Sequence, residues 1–195
     1  MTKGVPKRRL LAIREQQARM RKAEASPEVK ELKTLLTTQK TYLNNLKKQL
    51  ADAETQRDAK RAEIENQPKR HRRSWKRRLI DESNILNSKA NALRKVIPNV
   101  EKLVSQIDNF RKKAVTAVFI GRGDVAIEMA KSARAFASQV QSNSNNYVSA
   151  KVRERRRRII YSRRRRKRRE RRRDTTKDLR SAGVDIDLLK LGKVS

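Results

Sequence analysis

Hydrophobic side chains recur every seven residues between Val29 and Ile64. One core position of this repeat holds Val29, Leu36, Leu43, Leu50, Arg57 and Ile64, and the other holds Leu32, Gln39, Leu46, Ala53 and Lys60. The core positions of the first four heptads are apolar except for Gln39, whereas those of the last two are mainly polar. Such spacing keeps an apolar seam on one side of a helix, and another helix must cover that seam. Ser26, Pro27 and Glu28 form a helix-start sequence, with Ser at the N-cap and Pro at the first helical position.

A second seven-residue repeat follows Pro68, which interrupts the first. It comprises Leu79, Leu86, Leu93, Val100, Ile107 and Ala114, with Val96, Leu103, Phe110 and Ala117 strengthening its later half. Two apolar seams of nearly equal length, separated by a helix breaker, predict an antiparallel, coiled-coil-like helical hairpin over residues 26–118. The alternative is a parallel dimeric coiled coil through residues 27–66. Pro98 lies inside the second arm and predicts a kink or a break near Ile97.

A third, shorter helix is expected over residues 119–141. Asp124, after the glycine-containing turn at 119–123, is expected to cap it, and its packing face is expected to hold Val125, Met129, Ala133, Phe136 and Val140. The polar residues 142–150 predict a hinge, and residues 174–195 predict a neutral C-terminal tether. Residues 1–25 form a basic N-terminal arm. The expected fold class is therefore all-α: a long hairpin, a shorter packing helix and a basic tail that is helical or extended on nucleic acid.

Charge is concentrated in residues 151–173, the basic segment, where 16 of 23 residues are Arg or Lys and two are acidic. The whole chain holds 53 basic and 21 acidic residues, so the countercharge must come from a partner. Arginine outnumbers lysine 14 to 2 in this segment. Because guanidinium pairs bidentately with phosphate oxygens, DNA or RNA is the leading partner. A nuclear-targeting signal, which needs only a few cations, is the alternative.

A second cluster of cations, residues 69–78, lies between the two repeats and is named the basic tip. It holds seven cations, no acid, His71 and the only tryptophan, which either stacks on an unpaired base or packs on Leu79. The hairpin arms beside it are nearly neutral, since residues 27–66 hold eight basic and seven acidic side chains. The residues expected to bind nucleic acid are Arg153, Arg155, Arg156, Arg157, Arg158, Arg163, Arg164, Arg165, Arg166, Lys167, Arg168, Arg169, Arg171, Arg172 and Arg173 in the basic segment, Lys69, Arg70, Arg72, Arg73, Trp75, Lys76, Arg77 and Arg78 in the basic tip, and Lys7, Arg8 and Arg9 in the arm.

Catalytic chemistry is not indicated by any combination of residues in the sequence. There is no cysteine and a single histidine, which leaves no thiolate metal site and little imidazole chemistry. The Arg122-Gly123-Asp124 tripeptide is explained by a helix start after a turn, and the paired carboxylates lack a pocket that would raise a pKa. We expect no enzyme activity, no cofactor, no metal and no small-molecule substrate.

The sequence thus predicts a non-enzymatic structural protein that neutralises phosphate without reading base sequence. Two settings fit: genome packaging in a virion or nucleoid, and a subunit of a large ribonucleoprotein such as a ribosome. Self-association through the helical seams is expected in the first setting. The amino terminus lacks the apolar core of a secretory signal, and no apolar run is long enough to span a membrane. A coiled-coil adaptor with basic targeting segments is the alternative of a different class.

Overall fold

The computed structural model describes residues 7–66 and 73–182, with side chains from residue 11 onward. Within these ranges the chain forms four helices and no strand: α1 (Lys7–Glu24), α2 (Pro27–Glu65), α3 (Arg73–Phe119) and α4 (Gly123–Ser181). The all-α class is confirmed. The chain divides into two compact units, Met1–Lys151 and Val152–Ser195. The turn expected at Pro68 and the tether residues 183–195 lie outside the described residues.

The predicted start of α2 is confirmed by its capping geometry. Ser26 has extended backbone angles, φ −61° and ψ 148°, and its Oγ accepts a hydrogen bond from the Val29 backbone N–H at 3.4 Å. The Lys30 N–H donates to the Ser26 carbonyl at 3.0 Å, which is the first hydrogen bond of the helix. Pro27 costs nothing at this position because the first N–H groups of a helix have no partner within the helix.

The seven-residue pattern determines which side of α2 is buried. All buried residues of α2 occupy one of the two predicted core positions, and they are Val29, Leu32, Leu36, Gln39, Leu43, Leu46 and Ala53. On α3, Leu93, Val100 and Ile107 have no accessible surface. The two helices pack on each other along their length. Burying each leucine or isoleucine of these seams stabilises the fold by about 1.5–3 kcal/mol.

Two clusters of buried side chains form the core of the first unit. One joins α2, α3 and the beginning of α4 through Leu32, Leu36, Leu103, Ile107 and Ala126, among others. Ala23 adds the end of α1 to this cluster. The second cluster lies farther along α2 and is built on Leu43, Leu46, Leu93, Val96, Ile97 and Val100.

A kink or a break was expected near Ile97, and the break is absent, because α3 runs through Pro98 without interruption. A proline inside a helix costs about 3 kcal/mol. Val96, Ile97 and Val100, on both sides of Pro98, are buried in the second cluster. At about 1.5–3 kcal/mol for each buried side chain, this packing outweighs the cost of the proline.

The turn between α3 and α4 is closed by a Schellman motif. Gly121 has φ 82°, a left-handed conformation that favours glycine. Its N–H donates to the Val118 carbonyl at 3.0 Å, and the Arg122 N–H donates to the Ala117 carbonyl at 2.8 Å. Asp124 was expected at the N-cap, but it lies within the first turn of α4. Its carboxylate there still interacts favourably with the positive end of the helix dipole.

The packing face of α4 differs from the expected one. Ala126, Ala130, Ala133 and Ala137 are buried, whereas Phe136 is 49% exposed. Val125, Met129 and Val140 are only partly buried, so of the five expected face residues Ala133 alone is fully buried. The small alanine side chains let the backbone of α4 approach α2 and α3 more closely than a face of larger residues would. Met129 and Val140 still pack against the core, so the buried face overlaps the expected one only in part and is shifted toward the alanines.

The hinge expected at residues 142–150 is also absent, since these residues are part of α4. Ser144 is buried, and the Tyr42 hydroxyl of α2 donates to Asn145 Oδ1 at 2.9 Å. Tyr147 and Val148 pack against the second cluster. These contacts stabilise the helical conformation of residues 142–150. The predicted packing helix and the basic segment are therefore parts of one helix of 59 residues, the longest of the four described, in place of a short helix followed by a tail.

Candidate nucleic-acid interface

The basic segment is helical throughout, as part of α4, and all of it except Lys151 lies in the second unit. Every candidate cation from Arg153 to Arg173 is exposed except Arg155, which is partly buried. At 1.5 Å per residue, 23 helical residues extend about 34 Å, so a net charge of +14 gives one positive charge per ~2.4 Å. Duplex DNA carries one negative charge per ~1.7 Å of its axis. The two linear charge densities are similar.

Two arginines of the segment, Arg155 and Arg158, are less available to a phosphate than a fully exposed arginine. Arg158 donates to Glu154 Oε1 at 2.5 Å, an ion pair between residues four apart on the helix. The Arg155 Nε atom is buried and has no hydrogen-bond partner in the structure. Arg158 must leave Glu154 to bind a phosphate, and Arg155 presents less of its guanidinium to solvent. The exposed arginines from residue 164 onward are therefore better candidates for phosphate contacts than these two.

The structure adds two cations that the sequence interpretation left out. Arg172, Arg173, Lys177 and Arg180 line a recess of about 320 Å³ together with Thr176. The sequence interpretation ended the basic segment at Arg173, where the consecutive arginines stop. Spacings of four and seven residues from Arg173 to Lys177 and Arg180 place these cations on the same helix face, and this signal was available in the sequence.

The basic tip is described only from Arg73 onward, at the beginning of α3. Lys69, Arg70, His71 and Arg72 lie outside the described residues. Arg73, Lys76 and Arg77 are exposed, and the first turn of α3 holds no acidic residue. Cations at the beginning of a helix face the positive end of its dipole, which is unfavourable unless an external anion is present.

Arg78 and Trp75 of the basic tip are less available than their neighbours. Arg78 Nε lies 3.0 Å from Glu82 Oε1, and Lys60 Nζ of α2 lies 3.3 Å from the other oxygen of that carboxylate. The hydrogen bond from Arg78, followed by that from Lys60, lowers the pKa of Glu82 below its ordinary value. Glu82 is therefore ionised at neutral pH and competes with phosphate for Arg78. Trp75 is partly buried and lies four residues before the buried Leu79 on the same side of the helix.

The basic arm forms α1 from Lys7 onward. Lys7, Arg8 and Arg9 lie in its first turn, but their side chains are outside the described set, as are residues 1–6. The following cations Arg14, Arg19, Arg21 and Lys22 are exposed. Ala23 attaches α1 to the cluster at the start of α2, whereas the basic tip follows the end of α2. The 39 residues of α2 separate the two by about 58 Å, so the first unit carries cations at both ends.

Two other kinds of site are absent from the described residues. Their helices contain no apolar stretch that could span a bilayer, and no three His, Cys, Asp or Glu side chains are grouped so that they could hold a metal ion. A groove of about 420 Å³ between α3 and α4 is lined by Lys95, Val96, Asn99, Val140, Asn143, Ser144 and Tyr147. Its side chains do not include a carboxylate, histidine or thiol that would act as a general base.

Comparison of this chain with protein-family models, with curated proteins and with solved structures found no match.

Proposed function

We propose that this chain is a non-enzymatic structural protein that binds the phosphate backbone of nucleic acid without sequence specificity. The observation that carries the proposal is the exposed helical run of arginines, whose linear charge density is close to that of duplex DNA. Arginine prefers planar, bidentate contacts with phosphate oxygens, and 14 of the 16 cations are arginines. Phosphate contacts hold a protein on nucleic acid but carry no sequence information.

The distribution of cations around the helix indicates contact with more than one strand. Residues 163–169 are seven consecutive cations, and successive residues of a helix point about 100° apart. These seven side chains therefore point in all directions around the helix axis. A helix lying against one face of a duplex would leave half of them without a phosphate. Packing among several nucleic-acid strands would engage all of them, and this favours condensed nucleic acid as the partner.

For the first unit we propose an antiparallel, coiled-coil-like hairpin of α2 and α3 that supports the basic elements. Four polar contacts between the helices run in opposite order along the chain, in support of this: Lys47–Glu101, Glu54–Arg94, Arg57–Asn87 and Lys60–Glu82. The burial of side chains at the core positions of both seven-residue repeats also supports the hairpin. The parallel dimer of residues 27–66 would need the same buried seam for a second chain.

Genome packaging inside a particle is the setting we favour, because it needs dense charge neutralisation on several strands at once. A ribonucleoprotein subunit, whose basic extension lies between RNA helices, is the alternative setting. Protein purified from its source at low salt distinguishes them by the nucleic acid it carries. Heterogeneous or genomic nucleic acid on many copies indicates packaging, and one RNA species at fixed stoichiometry indicates a ribonucleoprotein.

Replacing arginine by glutamine at positions 163–166, 168, 169 and 171–173 tests the proposal. Glutamine favours helices about as well as arginine does, so this change removes charge and preserves the helix. If these nine arginines bind phosphates, the slope of log affinity against log salt falls by about 6 on a single strand and about 8 on a duplex. Affinity for generic nucleic acid falls by orders of magnitude. Fluorescence anisotropy over a salt series measures both quantities.

A matched variant carries lysine at the same nine positions. Lysine keeps the charge but loses the bidentate geometry, so the salt slope should be preserved while affinity falls moderately. Unchanged affinity in the glutamine variant would contradict the proposal and would leave the segment as a targeting signal. Association with a protein that survives nuclease treatment would indicate the coiled-coil adaptor.

A further inference from the structure

Two large apolar side chains are exposed in the middle of the basic segment. Tyr161 is 70% exposed, more than any other large apolar side chain among the described residues, and Ile160 is 50% exposed. They separate the cations that end at Arg158 from those that begin at Arg163. Neither belongs to a buried cluster of the described core. Packing in the described core therefore does not explain why an apolar ring lies at the centre of a charged segment.

The neighbours of Tyr161 on the helix surface restrict what can cover its ring. Side chains three and four residues away lie beside it, and these are Arg157, Arg158, Arg164 and Arg165. The basic segment of a second copy would bring its own arginines against these four and would be repelled, and the nearly neutral residues 27–66 of a second copy offer no excess of negative charge. The partner that covers the ring must therefore combine a flat apolar face with negative charges within a few ångströms. A nucleobase attached to its phosphodiester backbone has this combination.

The exposed ring of Tyr161 also indicates whether the bases of the bound nucleic acid are paired or unpaired. In a duplex the faces of the bases are stacked on one another, and a side chain on the outside meets only phosphates, sugars and base edges. An unpaired base offers its face to an aromatic ring, and such stacking tolerates any base. We infer that the basic segment binds nucleic acid with unpaired bases, with Tyr161 stacked on one of them. The inference rests on the proposed function and adds to it the class of nucleic acid.

The test compares the full-length chain with its Tyr161→Ala, Tyr161→Phe and Ile160→Ala variants. The probes are an oligothymidine strand, a duplex with the same number of phosphates, and a strand of equal length built from abasic sites. Tyr161→Ala should weaken binding to the oligothymidine by about 5- to 150-fold, the usual range for loss of one stacked base. Binding to the duplex and to the abasic strand should not change. Tyr161→Phe should retain the affinity, because the ring is preserved.

The salt dependence separates stacking from charge. Tyr161→Ala removes no cation, so the slope of log affinity against log salt should equal that of the original chain. Ile160→Ala, which removes the neighbouring apolar side chain, should have a much smaller effect on the oligothymidine. Circular dichroism of each variant verifies that the helix content is unchanged.

Three results would overturn the inference. Tyr161→Ala could leave binding to the oligothymidine unchanged, weaken binding to all three probes equally, or change only the self-association of the protein measured by sedimentation. In each case the glutamine variant of the nine arginines still decides the proposed function independently. Loss of phosphate binding in that variant, together with any of the three results, would retain the proposed function and remove the role of Tyr161.

Discussion

Gln39 is the one polar side chain of α2 that is buried, at 3% exposure, and its Oε1 atom has no hydrogen-bond partner. It occupies a core position of the seven-residue repeat between Leu36 and Leu43. A buried acceptor without a partner costs about 1–3 kcal/mol. A polar residue at such a position often fixes the register or the partner of a helical seam at the expense of stability. Replacing Gln39 with an apolar residue is therefore expected to increase the stability of the fold.

Replacing Gln39 with leucine should raise the free energy of unfolding by about 1–3 kcal/mol, because it removes the unsatisfied acceptor and adds apolar surface to the core. Denaturant-induced unfolding of the full-length chain, followed by circular dichroism, measures the change. Gln49→Leu is the matched control, since Gln49 is on the exposed side of the same helix. A Gln39→Leu variant no more stable than the original would mean that the amide has a partner in solution.

At the scale of helices, the ion pair between Glu54 of α2 and Arg94 of α3 reports on how the two helices pair. Arg94 Nη2 lies 2.6 Å from Glu54 Oε1. In Glu54→Arg, two arginines would face each other, and in Arg94→Glu, two glutamates would. Exposed pairs contribute about 0.2–1 kcal/mol, so each single variant should be less stable by about that amount or slightly more.

The double variant Glu54→Arg with Arg94→Glu should regain most of the lost stability, because it restores an ion pair of reversed polarity. Thermal unfolding at two protein concentrations supplies the second readout. An intramolecular hairpin unfolds at a temperature that does not depend on concentration, whereas the temperature rises with concentration for a dimer. Failure of the double variant to recover would contradict the proposed pairing of α2 with α3.

The sequence predicted α2 and α3 well because their seams combine seven-residue spacing with long apolar side chains. It failed where neighbouring structure outweighed a local signal. Pro98 is tolerated because packed side chains on both sides hold α3, and residues 142–150 stay helical through contacts such as Tyr42 with Asn145. The alanine face of α4 was missed because alanine is a weak hydrophobic signal. These failures arise from contacts between helices, which local patterns do not contain.

At the scale of the whole chain, the basic segment combines a helix-forming composition with self-repulsion. Arginine and lysine are good helix formers, but like charges four residues apart each destabilise a helix by about 0.2–0.5 kcal/mol. The sequence left open whether the segment is helical or extended, and the structure describes it as helical. The balance between helix and coil in this part of the chain should therefore respond to anions.

Adding sulfate or inorganic polyphosphate should increase the helix content of the full-length chain, because bound anions relieve the repulsion. Far-ultraviolet circular dichroism, compared with chloride at equal ionic strength, measures the increase. The variant with glutamine at the nine arginine positions is the control, and its helix content should respond much less. Equal helix content of the original chain in sulfate and in chloride would contradict this prediction.

The location of the candidate interface was readable from the sequence, since charge at this density requires a partner. Its detailed composition was predictable only in part. The helical spacing of Lys177 and Arg180 from Arg173 was present in the sequence, whereas the partial burial of Arg155 requires coordinates. The exposure of Tyr161 likewise depends on which side chains the fold leaves outside the core. The composition thus identified the basic segment, and the structure shows which of its side chains are exposed and which are partly buried.

The exposed arginines also make the basic segment a target for proteases that cleave after basic residues. Such a protease finds 16 cleavable bonds within 23 residues, and a helix held mainly by its own hydrogen bonds opens often enough to be cut. Bound nucleic acid would cover the same side chains. Molecules of this protein without a partner would then lose the segment, while bound molecules would keep it.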